Sequence, residues 1–209
     1  MKKLLIVALM VTSLATLSVS ANTITGSLWH VPEAISQNAT FANVPGTTPD
    51  VAFSVNSPFN FSADSATVGT WLASSAAFNI VENTGGTLAS LMDDGTGTQG
   101  TLLDFKGFVS VVNGQTFTVT HDDGLQLKIG SLLVIDTAGP TSPVLTTVTY
   151  TGPSGNLSFE LVYGECCGGP AVLQLDLPLT NDVPDGGSTL AMLGGAFAMI
   201  GAVSRRFRK

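Results

Sequence analysis

The chain has 209 residues, with 8 Lys and Arg against 15 Asp and Glu, and a formal net charge of −7. Hydrophobic residues make up 44% and charged residues 11%, which excludes a disordered chain. The acidic balance excludes a nucleic-acid binder, because phosphate needs a basic surface, and 23 glycines among abundant Ser and Thr speak for an all-β fold.

The N-terminus reads as a secretory signal peptide over residues 1–21. Lys2 and Lys3 form its positive region, the apolar run 4–11 follows, and Val19-Ser20-Ala21 supplies the small residues of a cleavage site. The mature chain is then expected to start at Asn22, with residues 22–180 as the ectodomain. Residues 22–100 are irregular. Strands are expected around 51–55 and within 70–80, and 93–100 reads as a polar Gly-rich loop. Asp93-Asp94-Gly95 resembles the start of a calcium loop but lacks a distal Glu, so it reads as a turn. Trp29 and Trp71 read as core residues.

From about residue 100 the pattern has period two, the signature of half-buried strands. Phe117, Val119 and His121 share one face, as do Leu125, Leu127 and Ile129. Leu157, Phe159, Leu161 and Tyr163 share another, and so do Leu173, Leu175 and Leu177. Gly, Pro and Asn-Gly punctuation separates these runs. Strands at this spacing predict an all-β sandwich or jelly roll.

His121-Asp122-Asp123-Gly124 joins two of the clearest strands. Adjacent carboxylates on a regular strand point to opposite faces. A cis peptide would let them converge, and a divalent cation held by both would stabilise that arrangement. Calcium suits such a site, being hard and tolerant of irregular oxygen ligation. The other reading is an Asp-Asp-Gly hairpin turn that binds nothing. Cys166 and Cys167 are the only cysteines. In an exported chain they leave three choices, a vicinal disulfide, intermolecular links or buried thiols, of which the vicinal disulfide is favoured. The histidines are His30 and His121, and no nucleophile–base pair or paired general acids stand out. The chain therefore reads as a non-enzyme.

Residues 101–178 resemble the protective-antigen-type β-sandwich, found in a toxin component, flocculins, adhesins and fibro-slime proteins. Three blocks carry the resemblance in order. The first is Phe105-Lys106-Gly107-Phe108 before Gly114-Gln115-Thr116-Phe117. The second is Asp122-Asp123-Gly124-Leu125 with Leu127, Ile129 and Gly130. The third is Phe159 to Glu165 followed by Ala171 to Leu175. The resemblance implies calcium held by Asp122 and Asp123, which in adhesins binds sugar hydroxyls. It implies a further ligand from a second loop, where Glu165 stands here.

The C-terminus is a second targeting device. The linker and motif occupy 181–189, with Val183, Pro184, Asp185, Gly186, Gly187, Ser188 and Thr189 as the motif. An apolar stretch, 190–204, is expected to form a transmembrane helix; with Ser188 and Thr189 it reaches about 25 Å at about 1.5 Å per residue, just enough for a thin bilayer. The basic tail 205–209 (Arg205, Arg206, Phe207, Arg208, Lys209) would hold that end in the cytoplasm. Six of the eight basic residues lie at the two chain ends, and all 15 acids fall between Glu33 and Asp185, so the acidic middle is expected to face outward. Motif, helix and Arg-rich tail resemble the PEP-CTERM class of bacterial sorting signals, in its VPDSG-CTERM variant. That implies processing by an exosortase-type enzyme in a bacterium that makes exopolysaccharide. The whole sequence is thus read as an exported surface or matrix protein that binds carbohydrate, such as exopolysaccharide, through calcium. The alternative is a structural surface protein with no specific ligand.

Overall fold

The computed structural model describes residues 23–177, 179 and 180; the expected signal peptide, sorting motif, membrane helix and basic tail lie outside these described residues. In chain order the elements are β1 (Thr23–Pro32), α1 (Glu33–Ser36), β2 (Val51–Asn56), β3 (Phe59–Ala63), α2 (Val68–Ser74) and β4 (Phe78–Glu82). They continue with β5 (Gln99–Val111), β6 (Thr116–Asp122), β7 (Leu125–Ile129), β8 (Leu132–Thr137) and β9 (Val144–Thr149). The last are β10 (Gly155–Glu165), β11 (Ala171–Leu175) and β12 (Leu179–Thr180). Among the described residues no helix is long and apolar enough to cross a membrane.

The strands form two antiparallel sheets. The larger runs β4-β2-β1-β5-β10-β7-β8, and β12 pairs with β5 beyond the end of β1. The smaller runs β3-β11-β6-β9. Residues before 100 therefore belong to the same sandwich as those after it: β1 and β2 extend the large sheet and β3 edges the small one.

The period-two faces meet between the sheets. Phe105, Phe159, Leu161 and Tyr163 from the large sheet pack against Phe61, Val119, Leu173 and Leu175 from the small one. Burying each large apolar side chain contributes about 1.5–3 kcal/mol. Trp71 lies stacked on Phe61 at 4.1 Å and parallel to Tyr163 at 6.0 Å, with its indole N–H donating to the Ala171 carbonyl. This confirms Trp71 as core, but it corrects the expected strand over 70–80. Residues 68–74 are helical because the Thr67 hydroxyl caps the Thr70 N–H and Val68, Trp71 and Leu72 bury one helical face. Only from Phe78 does a strand resume.

The large sheet is also covered on its outer face. Trp29, Val31, Leu102 and Val162 pack there beneath Ala39, Ile35, Phe41 and Val44. Two glycines let this covering segment lie directly on the sheet. A Cβ at Gly100 would stand 2.2 Å from Ser36 Oγ, and one at Gly164 2.2 Å from the Ser36 carbonyl oxygen. The close approach fixes α1 over the start of β5 and the end of β10.

Candidate functional site

Three connections cross from one sheet to the other at one end of the sandwich. β6 passes to β7 through Asp123-Gly124, β8 passes to β9 through 138–143, and β10 passes to β11 through 166–170. The Asp-Asp-Gly run is therefore a corner between sheets, not a hairpin turn, since β6 pairs with β11 and β9 while β7 pairs with β10 and β8. Gly124 serves this corner by close approach. A Cβ there would lie 2.2 Å from the Ala138 carbonyl oxygen.

The peptide between Asp122 and Asp123 is cis, and the charge of Asp123 acts on the Asp122 carboxyl. Both residues are buried, 5% and 4% exposed. Each oxygen of Asp123 accepts one backbone N–H, from Thr141 at 3.0 Å and from Cys166 at 2.9 Å. The other two crossing loops thus hold this carboxyl in place. His121 is buried rather than half-buried as its strand position suggests. Its Nδ1–H donates to the Asp123 carbonyl at 2.6 Å, which leaves Nε2 to accept from the Thr146 hydroxyl at 3.1 Å. Burial lowers its pKa, so the ring is neutral.

Glu165 follows Phe159, Leu161 and Tyr163 on the inward face of β10, so the strand period carries a carboxyl into the interior. The Tyr163 hydroxyl stands between it and Asp122, within hydrogen-bonding reach of both the Glu165 carboxyl and the Asp122 carbonyl. Tyr163 was legible as a core residue, but nothing in the sequence marked it as part of the acidic end.

The electrostatics follow from burial without a basic partner. Desolvation, then the charge of Asp123, pushes Asp122 up to about 6. Desolvation also raises Asp123, against the two amide N–H groups that lower it. Glu165 rises to about 9, first by desolvation and then by the charges of Asp123, Asp122 and Asp93, although the Tyr163 hydrogen bond opposes this. The two lysines among the described residues are engaged elsewhere. Lys106 pairs with Asp104 at 2.7 Å and Glu160 at 3.2 Å, and Lys128 lies 3.6 Å over the Phe41 ring.

The predicted site residues divide between two clefts. Asp122 and Asp123 line a cleft of about 390 Å³ with 140–143 and 167–170. Glu165 instead lines a neighbouring cleft of about 240 Å³ with Asp93, Asp94 and Gly168. The structure therefore brings the two aspartates together, and the Glu165 carboxyl faces the adjoining cleft, linked to the Asp122 carbonyl through the Tyr163 hydroxyl. Cys166 and Cys167 are bonded to each other, and Cys167 takes a positive φ of 66°. Bonded sulfurs offer no thiolate, so the donors facing the first cleft are hard carboxylate oxygens. These suit calcium, which prefers oxygen ligands.

A comparison with curated proteins finds no match. The VPDSG-CTERM motif matches residues 182–207. Among solved structures, the chain is similar to a "PA14 sugar-binding domain from RTX adhesin" at 17% identity and a TM-score of 0.51. The match covers 75% of this chain and 89% of that one. It is also similar to the PA14 domain of the antifreeze protein MpAFP, at 22% identity and a TM-score of 0.48, over 82% of this chain and 88% of that one. The chain thus combines a C-terminal VPDSG-CTERM motif with a β-sandwich of the PA14 fold, the protective-antigen-type architecture expected from its sequence.

Proposed function

We propose that this is an exported, surface-directed protein whose sandwich binds carbohydrate through a calcium ion. Asp122 and Asp123 would hold the ion, and the ion would present open positions to sugar hydroxyls. The observation that carries this reading is the pair of adjacent buried carboxyls that line one cleft across a cis peptide, with no basic partner among the described residues. Two buried carboxylates that close cannot both ionise without a compensating charge. A divalent cation supplies it. The fold shared with a domain described as sugar-binding supports carbohydrate as the ligand class. Glu165 lines the adjoining cleft and is linked to the Asp122 carbonyl through the Tyr163 hydroxyl, and with its pKa raised to about 9 it stands there as a neutral carboxyl at neutral pH. The sorting motif supports export and processing by an exosortase-type enzyme, and exopolysaccharide is the glycan such a protein would meet at the surface.

The test is calorimetric titration of the full-length chain with calcium chloride, beside Asp122→Asn/Asp123→Asn. A binding event missing from the double variant supports the reading, and a glycan array with calcium and with chelator then identifies the sugar. Identical isotherms for the two proteins would sink it and leave a structural surface sandwich.

A further inference from the structure

We infer that the chain carries a second cation site, built by Glu33, Asp93 and Asp94 and distinct from the Asp122–Asp123 pair. One ligand oxygen from each of these three residues lies within 4.8 Å of the other two. They come from two separate segments. Glu33 opens α1, directly after β1, and the two aspartates open the 93–98 loop that leads into β5. The junction is tied by the Glu33 N–H donating to the Thr98 carbonyl at 3.1 Å.

Proximity of acids alone would not make a site. The second observation is that two of these three side chains carry a buried oxygen without any hydrogen-bond partner. Glu33 is 8% exposed, and its Oε2 has none. That oxygen sits under the 93–98 loop, 3.5 Å from where a Cβ at Gly97 would stand. Asp93 Oδ1 is the other. A buried carboxylate oxygen left unpaired is costly, and a cation is one of the few partners that restores it.

The remaining oxygens of the cluster are already positioned. Gln37 donates to Glu33 Oε1 at 2.7 Å, and the Gly168 N–H donates to Asp93 Oδ2 at 2.8 Å. Asp94 is held by the N–H groups of Thr96 at 2.9 Å and Gln99 at 3.1 Å. The unpaired oxygens are therefore presented by side chains whose other ends are fixed. All three donors are carboxylates, with no imidazole or thiolate among them. That chemistry selects a hard divalent cation of the calcium class over zinc or copper. The 240 Å³ cleft lined by Asp93, Asp94 and Glu165 gives it an entrance.

An ion here would join three segments. It would bind the 93–98 loop to α1. Through the Asp93–Gly168 bond, and the Cys167 sulfur 3.6 Å from Glu33 Oε1, it would also brace the loop that lines the Asp122–Asp123 cleft.

The experiment is a calcium chloride titration of the full-length chain by calorimetry, with terbium luminescence as a second readout. Glu33→Gln keeps the shape and the Gln37 contact but removes the charge, and Asp93→Asn is the second variant. The expected result is two binding events in the wild type. One is lost in Glu33→Gln and in Asp93→Asn, while the other is lost only in Asp122→Asn/Asp123→Asn. A single event that disappears with Glu33→Gln upholds this site even where the Asp122–Asp123 site fails. Calcium and terbium binding unchanged in both variants, with each variant melting as the wild type does in chelator, overturns it.

Discussion

The same two central strands run through regions of opposite character. Along their middle, β5 and β10 carry Phe105, Phe159, Leu161 and Tyr163 into an aromatic, fully apolar interior. At one end they reach Gln99 and Glu165 and enter a region of buried acids, Glu33, Asp122, Asp123 and Glu165, with Asp93 half-buried beside them. The interior is favourable by itself, because apolar area leaves water. The acidic end is unfavourable by itself, because charge is desolvated without a counter-charge. The difference teaches that the middle stabilises the fold while the end carries a cost, which the cations of the proposed sites would offset.

Mutations should separate the two regions. The largest effect belongs to the interior. Trp71→Ala removes the ring stacked between Phe61 and Tyr163 and should cost about 3–5 kcal/mol in denaturant melts, equally with calcium and with chelator. A loss that calcium cancels would break the division. Gly124→Val probes the corner between the regions. Its Cβ would meet the Ala138 carbonyl, so about 1–3 kcal/mol of stability should go, together with the calcium event assigned to the aspartates. Asp122→Asn should act in the opposite direction. In chelator at pH 8 it removes a buried charge and should raise the melting temperature by about 2–4 °C, the shift that about 1 kcal/mol produces in a domain of this size. The same variant should gain less from calcium than the wild type does; a lower melting temperature in chelator would argue that Asp122 stabilises the ion-free fold.

The smallest effect per unit is a pH slope. Asp122 at about 6 and Glu165 at about 9 both stand above the ordinary carboxyl range near about 4. A raised acid binds its proton more tightly in the folded state. Its contribution is therefore complete below the unfolded value and is lost as pH rises through the folded one. The chelated protein should lose stability as pH climbs through about 6 and again through about 9. Saturating calcium should flatten the slope and release protons on binding. Parallel pH profiles in calcium and chelator would count against cation uptake by these acids.

Legibility in the sequence followed from how many faces of a strand are covered. β6 and β7 bury one face and alternate cleanly, and β10 and β11 keep large apolar residues at every second position on their inward faces, so their positions were readable. β1 went unread because Leu28 faces the core between the sheets while Trp29 and Val31 are buried on the opposite face under the 33–44 covering segment, which erases the alternation. The helix over 68–74 was lost to its β-branched and aromatic composition, which tertiary packing of Trp71 overrode. The aspartate pair was legible because both members are adjacent in sequence. Its supports were not, because Thr141 and Cys166 reach Asp123 through backbone N–H groups, which no side chain announces. Glu33 was invisible for a similar reason. It is a lone acid whose partners lie some sixty residues away, brought near by the pairing of β1 with β5.

The pairing of β12 has a consequence for orientation. Leu179 and Thr180 lie opposite Val109 and Phe108, far along β5 from Thr101, where Glu165 sits. Seven residues separate Phe108 from Thr101, which at about 3.3 Å each is roughly 23 Å of strand. The last described strand is therefore rooted at the base of the sandwich, while both clefts crown the far tip. Whatever the acidic mouth takes up is held roughly 23 Å of strand away from Thr180.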